Sequence, residues 1–167
     1  MADLPAASVR AAARGGASLR MVCFRLHGQL YAVPVDRVAE VVTYRPVTRV
    51  PFVPGWVAGI INLRGDVVTV VDLGDFLGLG KTAATDATRI VIVRAAQRIG
   101  GVLVDRIDEM RTVDEAKIEP SPPVRSSHGS AVLTGVVTLG DKDPAAGAPV
   151  MVLDMDRVFG SAELVAT

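Results

Sequence analysis

The chain is poor in the residues that carry out reactions. Its 167 residues include one cysteine, two histidines, four phenylalanines, two tyrosines and one tryptophan. One cysteine excludes a disulfide framework and a multi-cysteine zinc site. Two histidines far apart in sequence, His27 and His128, exclude a His-rich metal centre, and no cofactor is expected. Eighteen basic residues cancel eighteen acidic ones. A pI near 6.7 lacks the basic excess of a nucleic-acid binder. No apolar run approaches the roughly 18 residues of a membrane span, so direct membrane insertion is not expected. What is abundant is valine, 28 residues in all. β-branched side chains pack well on pleated sheets and lose rotamer freedom in helices, so the composition is that of an all-β protein.

The first twenty residues are rich in Ala, Ser, Arg and Gly and contain no apolar block. They read as a disordered tail without a secretory signal, and residues 161–167 read as a second tail. With an unpaired Cys23, the cytoplasm is the expected compartment.

Short apolar runs broken by Gly and Pro predict strands at Met21–Leu26, Leu30–Val33, Glu40–Thr43, Val47–Val50, Val57–Asn62 and Val67–Asp72. Further strands are predicted at Arg89–Ala95, Ile99–Val104, Val132–Leu139 and Val150–Asp154. Val35–Ala39, Asp105–Met110 and Met155–Phe159 read as turn-like or helical-turn segments. Pro51 and Pro54 bracket Phe52 and Val53 in a stiff connection. Residues 77–88, 119–130 and 140–149 read as loops.

The most informative feature is an internal repeat. Val35-Asp36-Arg37-Val38-Ala39-Glu40-Val41 recurs as Val104-Asp105-Arg106-Ile107-Asp108-Glu109-Met110, and each copy follows a hairpin containing glutamine, Gln29 or Gln97. Gly59-Ile60-Ile61-Asn62-Leu63 recurs as Gly135-Val136-Val137-Thr138-Leu139, and each is followed by a valine strand ending in aspartate, Asp72 or Asp154. Two blocks in the same order imply a duplication and two small β-barrels, with an approximate division into 21–88 and 89–160 that allows exchange of terminal strands. Units of this size bury too little surface to stand alone, so they pack together and leave a groove between them.

Residues for catalysis are hard to find. Asp36, Asp66, Asp72, Asp105, Asp108 and Glu109 sit at strand ends and turns, where carboxylates cap backbone or stay solvated. His27 and His128 lie in loops without a local partner, and Cys23 reads as a small buried hydrophobe. Gly78-Leu79-Gly80-Lys81-Thr82 ends like a phosphate-binding loop, but Phe76 stands where its first glycine belongs. Trp56 reads as a packing residue. Arg64, in a turn between two apolar strands, is the residue best suited to anchor a partner. The rival readings are a duplicated β-barrel module that binds short peptides in another assembly and a small β-barrel hydrolase using Asp or His.

Pro54-Gly55-Trp56-Val57-Ala58-Gly59-Ile60-Ile61-Asn62-Leu63-Arg64-Gly65, followed by Val70-Val71-Asp72-Leu73, resembles the signature of CheW-like domains. The similarity extends over about 21–160. It implies two SH3-like five-stranded barrels packed together, and an adaptor rather than an enzyme. The implied partners are the cytoplasmic tip of a chemoreceptor, the regulatory domain of the histidine kinase CheA, and other CheW-like domains in mixed rings. By the resemblance, Val38, Glu40, Asn62, Arg64, Val104 and Met110 would face the receptor. Tyr44, Val47, Thr48 and Gly59 would face the kinase. The loop at 140–149 is longer than the family's usual connection, and residues 77–88 match nothing specific in it.

Overall fold

In the computed structural model, which describes residues 17–95, 97–120 and 132–161, ten strands form two sheets of five. The strands are β1 (Ser18–Leu26), β2 (Gln29–Pro34), β3 (Val38–Thr43), β4 (Val57–Leu63), β5 (Asp66–Asp72), β6 (Arg89–Ala95), β7 (Arg98–Val104), β8 (Arg106–Asp114), β9 (Leu133–Thr138) and β10 (Pro149–Leu153). Two short helices, α1 (Leu73–Phe76) and α2 (Met155–Ser161), follow β5 and β10.

The sheets have the orders β8-β1-β2-β10-β9 and β3-β6-β7-β5-β4. They are the same arrangement built twice, with β1, β2, β8, β9 and β10 standing where β6, β7, β3, β4 and β5 stand. In each, a hairpin pairs in parallel with a strand from the other repeat: β2 with β10, and β7 with β5. The division at residues 88 and 89 therefore separates the repeats but not the barrels. Each repeat gives its hairpin to one barrel and its other three strands to the other. The exchange takes place where the chain leaves each hairpin. After β2, Pro34 has no N–H to continue a ladder, and a single 3-10 turn, Val35–Arg37, redirects the chain into β3. After β7, Asp105 alone makes the bend, and its N–H donates to the Arg25 carbonyl at 3.1 Å.

Three expectations change. Residues 106–110 are not turn-like: they open β8, because Arg106 and Ile107 find ladder partners in Arg25 and Phe24. Residues 47–50 form no strand, since the flanking Pro46 and Pro51 lack donors, and only Thr48 bridges to Ile60. Residues 18–20 do not belong to a tail; Ser18, Leu19 and Arg20 pair with Asp114, Val113 and Thr112 of β8. Residues 1–16, 121–131 and 162–167, which include His128 and most of both expected tails, lie outside the described residues.

Three apolar clusters hold the fold. Met21, Cys23, Leu30, Ala32, Val150 and Val152 fill one barrel. Ile61, Val68, Val70, Ile90, Ile92 and Leu103 fill the other. The largest cluster lies between them and takes alternate residues of the same strands: Val22, Phe24 and Leu26 of β1, Tyr31 and Val33 of β2, Val91 and Val93 of β6, Val102 and Val104 of β7. Strands β1, β2, β6 and β7 are thus buried on both faces, which is why they read as unbroken apolar runs. Each large aliphatic or aromatic side chain so buried contributes roughly 1.5–3 kcal/mol.

Because every barrel draws on both repeats, residues 17–88 or 89–161 expressed alone should stay unfolded. Co-expressed, the two pieces should assemble into a stoichiometric complex with native far-UV circular dichroism. A folded, monomeric single piece would show that the exchange is not required.

Candidate functional site

The edge strands of the second sheet are β3 and β4, and the site expected from the sequence lies along the seam where they meet. The segment after β3 is drawn onto β4 by the paired bonds Thr48 N–H to Ile60 O and Ile60 N–H to Thr48 O, both 2.8 Å. Gly59 makes this approach possible. A Cβ on it would stand 2.3 Å from the Thr48 carbonyl oxygen, and its φ of 149° also favours glycine. Gly135, its counterpart in the repeat, does the same in the other barrel, where a Cβ would meet the Glu119 carbonyl oxygen at 2.5 Å and Glu119 bridges Val136.

At the far end of β4, Arg64 and Gly65 form a two-residue turn with φ of 51° and 88°. These values match the mirror-image turn that joins twisted antiparallel strands. Asn62 Oδ1 accepts the Gly65 N–H at 3.0 Å and holds the turn. Arg64 reaches across the seam to grip both carboxylate oxygens of Glu40 on β3, its Nη2 lying 3.0 Å from Oε1 and its Nη1 in contact with Oε2. Arg45 donates to the Asn62 carbonyl at 3.2 Å beside it. The Arg64 side chain is 73% exposed.

The other barrel closes its seam, between β8 and β9, with the charges in reverse order. Here the arginine is on the strand: Arg111 of β8 donates through Nε and Nη2 to both oxygens of Asp143 at 2.7 and 3.2 Å, and Asp143 lies in the β9–β10 loop. This gives the long 140–149 loop a role in the fold. The Arg111 side chain is only 7% exposed. The bond to Asp143 raises the Arg111 pKa against the cost of burial, and the same bond holds the Asp143 carboxyl below the ordinary carboxylate range. The Cys23 thiol lies in this interior, where burial pushes its pKa up, so it behaves as a buried hydrophobe.

The residues expected to face a receptor are thus partly brought together. Glu40, Asn62 and Arg64 meet at one seam, and Val38 stands half-buried two residues from Glu40, packed on the central cluster. Met110 is half-exposed on β8 of the other sheet, paired in register with Val22. Val104 is corrected: it is fully buried in the central cluster and offers no surface to a partner. In the repeat it occupies the position of Val35, but the alternation of β7 turns its side chain inward.

The residues expected to face a kinase lie on the segment that crosses β4 at Ile60, with Gly59 beneath it. Tyr44 and Val47 pack against the barrel interior, and with Pro46, Arg49 and Pro54 they line a cleft of about 870 Å³. Thr48 is exposed, while Gly59 is buried and serves by admitting the segment carrying the others. The Gly-Lys-Thr string closes the far wall. Lys81 Nζ donates to the Gly55 carbonyl and to Asp75, both at 2.9 Å. Thr82 donates its N–H and Oγ1 to the buried carboxylate of Asp72, at 2.9 and 2.8 Å. A string that satisfies carboxylates and a carbonyl of its own chain is a strap for α1, not a phosphate cradle. Trp56 packs edge-on to Phe76 at 4.9 Å. His27 joins the barrels: its N–H donates to Asp105 at 2.7 Å and its Nε2 lies 3.0 Å from the Gly80 carbonyl oxygen.

Sequence reasoning missed Phe52. It stands in the turn between Pro51 and Pro54 with its side chain wholly in solvent and φ of 63°. The one available signal was an aromatic residue held between two prolines.

Among the described residues, no group of three or more His, Cys, Asp or Glu side chains could hold a metal ion, and no helix is long and apolar enough to cross a membrane. Two interlocked five-stranded barrels, with an exposed arginine at one seam and an exposed aromatic in one loop, define a scaffold module of paired SH3-like barrels. The chain belongs to the CheW-like domain family, whose profile matches residues 20–163. It is 31% identical over 143 residues to the chemotaxis protein CheW of Rhizobium meliloti, covering 86% of this chain and 88% of that protein. It is 38% identical over 103 residues to the chemotaxis protein CheW of Bacillus subtilis, covering 62% and 66%. Its fold matches the crystal structure of the scaffolding protein TtCheW from Thermoanaerobacter tengcongensis with a TM-score of 0.75 at 31% identity, over 86% of this chain and 88% of that one.

Gly59→Ala and Gly135→Ala should each destabilise the fold by about 2–3 kcal/mol, because the carbonyl they meet belongs to backbone that cannot turn aside. Thermal melting tests this, and a wild-type melting temperature in either variant would contradict it. The buried latch also gives a pH dependence. The Asp143 pKa is depressed on folding, so its contribution is complete above about pH 4 and falls as the pH drops from there through the lowered folded value. Asp143→Asn should cost about 1 kcal/mol at pH 7 and flatten the acid limb of a pH–stability curve. An acid limb as steep as wild type would rule this out.

Proposed function

We propose that this chain is a non-catalytic adaptor that couples the cytoplasmic tips of chemoreceptors to the regulatory domain of the histidine kinase CheA. In this reading it works in the cytoplasm at membrane-associated receptor arrays, beside other CheW-like domains in mixed rings, and needs no cofactor.

The observation that carries the reading is the Glu40–Arg64 pair. Exposed ion pairs contribute about 0–1 kcal/mol, and a non-glycine residue at positive φ costs about as much or more. The pair is therefore poorly explained by stability, in contrast to the buried Arg111–Asp143 latch. Arg64 is instead a guanidinium held in one orientation at a seam, next to the exposed side chain of Asn62 and the apolar edge of Val38. A pre-ordered arginine loses less entropy on binding and offers both a donor fork and a flat packing surface. Met110 adds a flexible apolar contact on the other barrel. A helical receptor tip, with its apolar face toward Val38 and Met110 and its polar groups toward Arg64, is the partner these residues suit.

The kinase face in this reading is the end of the second barrel that carries Tyr44, Val47 and Thr48, seated on β4 by Gly59. The two faces then adjoin along β4: Arg45 reaches the Asn62 carbonyl, and Thr48 bridges Ile60, four residues or about 13 Å along the chain from Arg64.

Arg64→Ala should weaken binding of a purified receptor signalling fragment at least tenfold. It should leave binding of the kinase regulatory domain unchanged and shift the melting temperature by no more than about 3 °C. Recruitment of receptor at wild-type strength by this variant would remove Arg64 from the interface.

A further inference from the structure

We propose that Phe52 is the anchor by which this chain grips its kinase partner, entering an apolar pocket rimmed by carboxylates on the regulatory domain. The inference rests on the adaptor reading and names the contact at its kinase face.

Phe52 is unusual in two independent ways. Its relative exposure is 106%, so it packs against nothing in its own chain. Among the other exposed large hydrophobic residues the highest value is 68%, at Val67. Its backbone has φ of 63°, a region that asparagine or glycine occupies with little cost and a bulky aromatic does not. The other three non-glycine residues with positive φ, His27, Arg64 and Gln97, lie in tight turns between paired strands, and His27 and Arg64 are also held by bonds to Asp105, Gly80 and Glu40. Phe52 has no comparable compensation within the fold.

The loop that carries it is nonetheless firmly fixed. Pro51 and Pro54 restrict the backbone on both sides. Val57 N–H donates to the Pro54 carbonyl at 3.0 Å, Asp72 N–H to the Trp56 carbonyl at 2.8 Å, and Lys81 Nζ to the Gly55 carbonyl at 2.9 Å. A rigid, solvent-exposed aromatic pays little ordering entropy when it is buried by a partner, which is the property of an interface anchor.

Position and charge choose the partner. Phe52 continues the surface of Tyr44, Val47 and Thr48, at the end of β4 away from Arg64, so it belongs to the kinase face and not to the receptor face. The exposed basic residue on this side is Arg49, which lines one cleft with Pro51 and Val53, whereas Lys81 is neutralised by Asp75. A pocket that accepts a phenyl ring beside the Arg49 guanidinium is apolar at its floor and acidic at its rim.

The test uses the full chain and the purified regulatory domain of its cognate kinase, titrated calorimetrically at low and at physiological salt. Phe52→Asn suits the backbone and removes the ring. It should weaken binding at least tenfold while the melting temperature stays the same or rises, and Phe52→Trp should retain most of the affinity. Arg49→Glu should weaken binding and reduce its salt dependence. If Phe52→Asn binds as tightly as wild type while Val47→Asp does not bind, the anchor is refuted and the adaptor reading stands. Failure of the wild-type chain itself to bind would overturn the adaptor reading and this assignment with it. If Phe52→Asn abolishes self-association in sedimentation but leaves kinase affinity intact, the ring serves a contact between copies and the proposal is wrong.

Discussion

Everything in this molecule depends on the burial of two hairpins on both faces. Strands β1, β2, β6 and β7 put one set of side chains into their own barrels and the alternate set into a shared central cluster. Phe24, Val33, Val91, Val93 and Val104 are all essentially inaccessible to solvent there. Neither barrel can keep its interior while losing the other, because the same strands serve both. The reciprocal exchange of strands has the same effect through the covalent chain. Two units too small to be stable alone thereby become one cooperative unit.

That arrangement explains where partner-ready residues can stand. The edge strands β3, β4, β8 and β9 carry the half-exposed and charged side chains. Each seam is closed by bonds from the connecting segment and by one arginine–carboxylate pair. The pair in the first barrel is buried and supports the fold. The pair in the second is open to solvent and holds a single arginine in a defined orientation. Backbone that L-residues seldom adopt is also concentrated in the connections, at His27, Phe52, Arg64 and Gln97. Tight turns between strands account for three of these; the fourth, Phe52, is in the loop leading to β4.

The duplication was readable in the sequence because it is written in local strings: Val-Asp-Arg before a crossing strand, and a glycine at the third position of β4 and of β9. The glycine match proved physically meaningful, since Gly59 and Gly135 each admit a carbonyl oxygen that a side chain would block. The assignment of strands to barrels was not readable. It depends on which hairpin a crossing strand meets, and nothing local to Val38–Thr43 or Arg106–Asp114 specifies that. That Glu40, Asn62 and Arg64 would come together was legible because a motif and a turn carry them. Val104 was misplaced because repeat position says nothing about which side of a strand a residue occupies. The Asp143 partner of Arg111 was hidden by 32 residues of separation, and Phe52 was hidden because an aromatic in a valine-rich chain reads as core.

The reversed order of the two seam pairs has one more consequence. Two barrels of identical topology form a body that is nearly indistinguishable when turned end for end. A surface that recognises shape alone would accept it in either orientation. With the carboxylate on the strand in one barrel and the arginine on the strand in the other, and with one pair buried and one open, the body acquires a head and a tail. A scaffold needs that handedness to add its neighbours in a fixed sequence rather than at random.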